Sequence, residues 1–88
     1  MELLRHKTFI NDFNKAKLSD SQFNKLIKYF NLFLEDKELP KEAKDHELLG
    51  KYDGFREFHL GGDMLVIYYK FQGSITLARI GTHSQLFK

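Results

Sequence analysis

The hydrophobic period of this chain changes once, near its middle, and that change constrains the fold more than any other feature. Before Pro40 the apolar residues recur at helical spacing; from Gly50 onward they fall in short runs rich in β-branched and aromatic side chains. Helices followed by strands predict an α+β fold in which a helical pair packs on a sheet. The 88 residues suffice for one domain spanning 1–88. A chain this short buries only roughly 60–65 % of its unfolded surface, so its core must be efficient. Nine Phe and four Tyr provide the bulk for one.

The stretch "LSDSQFNKLIKYFNLFLEDKELP" places Phe23, Leu26, Ile27, Phe30, Phe33 and Leu34 on one helical stripe, with Lys25, Lys28 and Asn31 between them. Ser19 followed by Gln22 reads as a capping box, and Pro40 ends the helix near Glu35–Lys37. Upstream, "KTFINDFNKAKL" aligns Phe9, Phe13 and Ala16, with Thr8 as a cap. The short break at Leu18 makes the two helices an antiparallel hairpin whose aromatic stripes are core. His6 has no polar company in the sequence and reads as a surface residue.

"GFREFHL", "DMLVIYYKF" and "SITLARIG" predict three strands joined by "GGD" and "QGS" hairpin turns. "MLVIYY" is apolar on both alternations, which suits a central strand covered on both faces. With "ELLRH" as a short first strand, the order is β-α-α-β-β-β and the sheet is expected to be antiparallel. "LPKEAKDHELLGKYDG" reads as a loop between the helical half and the sheet, with one histidine at its middle.

The absence of cysteine excludes a disulfide framework and a thiolate metal site, and it fits a reducing cytoplasm. No apolar run approaches the ~20 residues that span a bilayer, and "MELLRHKTFINDF" lacks the apolar core of a signal peptide. The expected location is therefore cytoplasmic, without a membrane partner. Fourteen basic residues against twelve acidic ones permit an anionic partner but do not require one.

A meander brings the end of "FREFHL", the start of "DMLVIYY" and the end of "SITLARIG" to one edge of the sheet. His59, Asp63, Arg79 and His83 then converge, the loop bearing His46 lies nearby, and the terminal segment closes over the edge with Phe87 as its anchor. This set contains what metal-independent RNA cleavage needs. Histidine can take a proton from a ribose 2′-hydroxyl or give one to the departing 5′-oxygen near neutrality. Arginine meets the phosphate with a planar fork of donors. Asp63 can orient a histidine, and Phe87 can stack on a base. The same His46, His59, Asp63 and His83 also have the chemistry of a metal site, although without the close helical spacing of a strong metal motif. Arg56 reads as an ion-pair partner of a nearby acid.

The spaced elements "KDH.L.G", "G.R..H...D...IY" and "R.G.H..LF", spread over residues 39–87, resemble the YafQ branch of the RelE/ParE superfamily of bacterial toxins. The resemblance implies a RelE-like fold and the toxin of a type II toxin–antitoxin pair, an endoribonuclease that cuts translated mRNA in the ribosomal A site without a cofactor. By motif it implies catalytic roles for His46, His59, Asp63, Arg79 and His83, with His83 central to proton transfer and Arg79 at the phosphate. It implies substrate-binding roles for Phe87 and for Met64, which stands where close relatives can carry a tryptophan. The implied partners are a cognate antitoxin, the ribosome and mRNA, with DNA reached only through the antitoxin complex. The ParE relatives, which act on DNA gyrase, supply the alternative of a non-catalytic binding toxin.

Overall fold

The structure is a computed structural model that describes residues 1–87. Strand β1 (Glu2–Arg5) leads into helices α1 (Lys7–Lys15) and α2 (Asp20–Leu34). A short 3-10 turn at Lys41–Ala43 precedes strand β2 (His46–Glu47), and a second at Gly50–Tyr52 precedes β3 (Arg56–Gly61). Strands β4 (Met64–Phe71) and β5 (Ser74–Thr82) follow, and the short helix α3 (His83–Leu86) ends the described chain. The five strands form one sheet in the order β1-β5-β4-β3-β2.

The α+β class and the β3-β4-β5 meander are as the sequence indicates, and β3–β4 and β4–β5 pair antiparallel. The sheet as a whole is mixed, because β1 runs parallel to β5 with Glu2 opposite Ser74 and Arg5 opposite Leu77. Residues His46 and Glu47, read from sequence as loop, pair with Glu57 and Arg56 and extend the sheet by a short strand.

Strand β4 separates two apolar layers. Met64, Val66 and Tyr68 face α1 and α2, where they pack with Phe9, Leu26, Tyr29, Phe33 and Phe58. Leu65 and Ile67 face the other way, onto Tyr52, Ala78 and Leu86. A bulge in β5 shifts the register, so that Ile67 faces Arg79 while Tyr68 faces Leu77, and Ala78 is left over. The buried row on the helical side therefore runs Ile75, Leu77 and then Ile80.

Helix α2 has the predicted Ser19–Gln22 capping box. Its buried face is narrower than the stripe read from sequence. Leu26, Tyr29 and Phe33 are buried, whereas Phe23, Ile27 and Leu34 are exposed. At 100° per residue those three lie on the flank of the helix, away from the sheet. Helix α1 is capped by His6 rather than by Thr8: the Thr8 backbone N–H donates to His6 Nδ1 at 3.2 Å. The Thr8 hydroxyl is committed elsewhere, donating to the Ala78 carbonyl at 2.6 Å. Phe13 stacks on Phe9 but stays partly exposed.

Past Arg5, where β1 ends, α1 takes over as the neighbour of β5. Thr8 accounts for the Ala78 carbonyl and Asp12 accepts from the Ile80 backbone N–H at 3.1 Å. Polar backbone that would otherwise form an open edge is thereby satisfied.

Candidate active site

Strand alternation brings Glu57 and His59 to the sheet face that carries Leu65, Ile67 and α3, away from α1 and α2. Pairing of β2 with β3 sets His46 opposite Glu57. The outcome is a compact cluster. His59 Nε2–H donates to Glu57 Oε2 at 2.9 Å, and His46 Nε2 stands 3.5 Å from the same oxygen. The two imidazole rings are stacked with centroids 6.1 Å apart. His46 Nδ1–H donates to the Lys44 carbonyl at 2.7 Å, which fixes the ring and turns its other nitrogen toward Glu57. Glu57 is only 5 % exposed, so its carboxylate has little water to compete with these imidazoles.

Glu57 is the residue that sequence reasoning missed. The signal was present: an acid two positions before His59 in a strand shares its face.

A second group forms at the far end of β5. The Thr82 hydroxyl accepts from the Gln85 backbone N–H, and Gln85 Oε1 accepts from the Thr82 N–H at 2.8 Å, a capping box that starts α3 at His83. His83 and Phe87, one helical turn apart, stack at 4.7 Å. Phe87 also meets Tyr52 edge-on at 5.4 Å, and the buried Tyr52 hydroxyl donates to the Leu86 carbonyl at 3.2 Å. The terminal segment is thus pinned from below by Tyr52 and Leu86. Asp63 joins this group through its backbone: the His83 N–H donates to the Asp63 carbonyl at 3.2 Å, and the Asp63 side chain is exposed.

The register relates the two groups. His59 lies opposite Leu65, which lies opposite Gly81, two residues before His83. Glu57 lies opposite Ile67, which lies opposite Arg79. Two strand spacings put the ends of each row about 10 Å apart, with the buried Leu65 and Ile67 between them.

Arg79 ends one of these rows but is already engaged. Its Nε and Nη2 donate to the two Asp12 oxygens at 2.6 and 3.1 Å. These bonds hold the guanidinium pKa above its ordinary value, while partial burial works against them. Met64 departs furthest from expectation. It is 8 % exposed and sits in the layer against α2. The residue after Asp63 alternates toward the helices, so it offers no surface to a substrate; Phe87 lies on the site's own side, packed with Tyr52.

Arg56 is an ion-pair partner, as its sequence context indicates. Its Nε donates to Asp45 Oδ1 at 3.2 Å, and the Tyr68 hydroxyl donates to the same oxygen at 2.6 Å. Asp45 thereby clasps the loop that ends in His46 to β3 and β4.

Among the described residues, the side chains spaced to share a metal ion are His46, Glu57 and His59, whose ligand atoms all lie within 4.8 Å of one another. Asp63 and His83 are outside this group.

A family model described as "Bacterial toxin of type II toxin-antitoxin system, YafQ" matches residues 1–88. The chain belongs to the YafQ toxin family. It is 35 % identical over 81 residues to the mRNA interferase toxin YafQ of Escherichia coli K12, covering 90 % of this chain and 87 % of that one. Its fold is similar to the toxin in the crystal structure of the E. coli DinJ–YafQ complex, with a TM-score of 0.83, 28 % identity and coverage of 99 % and 98 % of the two chains. It is also similar to a metal-bound toxin from Helicobacter pylori, with a TM-score of 0.81, 30 % identity and 98 % coverage of each chain.

Proposed function

We propose that this YafQ-family chain is an endoribonuclease that cuts translated mRNA in the ribosomal A site by metal-independent acid/base catalysis, and that a cognate antitoxin neutralises it. The observation that supports this reading is the His46–Glu57–His59 cluster, held on the sheet face that also carries α3 with His83 and Phe87. The E. coli relative's name as an mRNA interferase and the crystallised DinJ–YafQ complex support the activity and the antitoxin respectively.

In-line attack on phosphorus places the entering 2′-oxygen and the departing 5′-oxygen on opposite sides, so base and acid must face each other across the phosphate. His59 is the better base. The imidazolium that it becomes on accepting the 2′-hydroxyl proton is stabilised by the Glu57 carboxylate. His83 then gives its proton to the 5′-oxygen, leaving a 2′,3′-cyclic phosphate. Arg79, held by Asp12, supplies positive charge for the phosphate, and Phe87 can stack on the neighbouring base. Asp63 contributes by holding the start of α3.

The test is mRNA cleavage in a reconstituted translation reaction, mapped by primer extension, with wild-type protein and His83→Ala. Cuts within translated codons that fade in the variant are expected. If folded wild-type protein leaves translated mRNA intact, the proposal fails.

The metal-bound H. pylori relative favours a second reading for one cluster. Two imidazoles and a carboxylate suit zinc or copper, and His46, Glu57 and His59 are spaced to hold one. Such an ion would occupy the nitrogens and the carboxylate that proton transfer uses. On this reading added zinc or copper suppresses cutting and chelation restores it. Stimulation by either ion in a free-RNA assay would instead make the site a metal-dependent hydrolase.

A further inference from the structure

A cleft of about 550 Å³ lies on the side of the β2–β3 edge away from the histidines. It opens between the end of α2, the Lys41–Ala43 turn and the strands β3 and β4, with Phe33, Leu39 and Pro40 as its apolar floor. Five cations line it: Lys37, Lys41, Lys44, Arg56 and Lys70. The acids in the lining are Glu38 and Asp45, and Asp45 is already bound by Arg56 and Tyr68. The surplus of three positive charges exceeds the +2 of the entire chain, so the remainder of the surface is slightly acidic.

Among the described residues, no carboxylate lies within ion-pair distance of Lys41, Lys44 or Lys70, whereas Lys37 pairs with Glu35 at 3.7 Å. The cleft therefore gathers three ammonium groups without a carboxylate partner beside Arg56, whose own charge is met by Asp45 at 3.2 Å and Glu47 at 3.7 Å. Those ammonium groups fit a chain of phosphates, which Lys meets as a point charge.

Lys44 joins the cleft to the candidate active site. It adopts a left-handed backbone conformation, φ 51°, which turns the chain from the cleft toward β2. Its side chain lines the cleft while its carbonyl accepts from His46 Nδ1. Two residues of chain span at most about 7 Å, close to one nucleotide of backbone. An RNA strand in the His46–His59 site thus needs only one or two nucleotides to pass over the β2 edge and reach the lysines.

We propose that this cleft is a phosphate-binding subsite for RNA, taking the backbone of the strand next to the bond that is cut; the inference rests on the nuclease reading above. The same phosphate chemistry is offered by ribosomal RNA, and the two sources separate by experiment.

Binding is measured by fluorescence anisotropy, as a function of salt, with a single-stranded oligoribonucleotide carrying a 2′-O-methyl block at every position, and separately with ribosomes that lack mRNA. The variant is Lys41→Gln/Lys70→Gln, which leaves the His46-holding Lys44 intact. The control is Lys25→Gln/Lys28→Gln, the same change of charge on α2 outside the cleft. With the oligonucleotide, the cleft variant is expected to flatten the slope of log K against log salt by about 0.7 per lysine and to weaken binding roughly tenfold at low salt, while the control changes neither. The same loss seen with ribosomes alone reassigns the phosphates to ribosomal RNA and overturns the substrate-strand assignment. Equal effects of the two variants, or no effect of either, overturn the subsite altogether. Failure of the nuclease reading shows up separately, as absence of cutting by wild-type protein, because the blocked oligonucleotide reports binding alone.

Discussion

Removing the Asp12 side chain is the sharpest test of how this fold aims its arginine. Asp12→Ala deletes three hydrogen bonds at once: two from the Arg79 guanidinium and one from the Ile80 backbone N–H. The guanidinium bonds are charge-assisted and bidentate, but the side chains are 31 % and 19 % exposed, which places the pair between a surface and a buried ion pair. About 2 kcal/mol for the pair and about 1 kcal/mol for the orphaned N–H give a loss of roughly 2–3 kcal/mol. For a domain of this size that lowers the melting temperature by about 10–20 °C. Arg79→Ala costs less, since Ile80 keeps its acceptor. Urea unfolding of both single variants and the double variant should give a coupling energy of about 1–2 kcal/mol; a value below about 0.5 kcal/mol would refute the clamp. Cleavage assayed well below the lowest midpoint adds the functional half. If Asp12 aims Arg79 at the phosphate, the two single variants lose cutting equally and the double variant loses no more. An Asp12→Ala protein that is destabilised but cuts at the wild-type rate shows that the pair is scaffolding alone.

Three further outcomes are expected. Glu57→Gln keeps the shape but removes the charge that supports His59, so the cleavage rate should fall about 10²-fold and its pH profile should change form; an unchanged profile removes Glu57 from the chemistry. Burial, then the bond to Asp45, pushes the Tyr68 phenol above its ordinary range, and burial together with Glu42 raises that of Tyr29. Both hold their protons more tightly folded than unfolded, so stability is intact below pH about 10 and declines as pH rises through the folded values. Absorbance titration at 295 nm should show Tyr29 and Tyr68 ionising late, together with unfolding. Gly81→Ala places a Cβ 2.9 Å from Gln85 Oε1 and 3.3 Å from Leu86 Cδ2, which forces the α3 capping box to shift. Its melting temperature should fall and the protease sensitivity of the C-terminal segment should rise, with cleavage reduced in step.

What could be read from the sequence was local. Ser19 and Gln22 announce their capping box because both partners lie within four residues, and the two-sided apolar character of β4 follows from its own alternation. Long-range pairings were not visible. Asp12 and Arg79 are 67 positions apart, and neither carries a pattern that names the other. The rotation of α2 that buries Tyr29 and exposes Ile27 is set by the sheet beneath it, since the helical stripe is wide enough to seat in more than one way. His6 as a cap was missed because imidazole is an uncommon one. Met64 was placed with the substrate by motif position alone, whereas its alternation with Leu65 fixes which face it can reach. Meander topology does bring the ends of β3 and β5 to the same end of the sheet, but the buried carboxylate between His46 and His59 emerged only once β2 was paired.

The parallel pairing of β1 with β5 bears on how the molecule is made. Residues 2–5 emerge during synthesis well before residues 74–77, which are their neighbours in the sheet. β1 must therefore wait, without its sheet partner, until β5 has been made. His83 and Phe87 emerge later still. Folding of this topology is governed by closure of its longest loop, the one that joins β1 to β5, so the sheet's first strand is also the last to find its place.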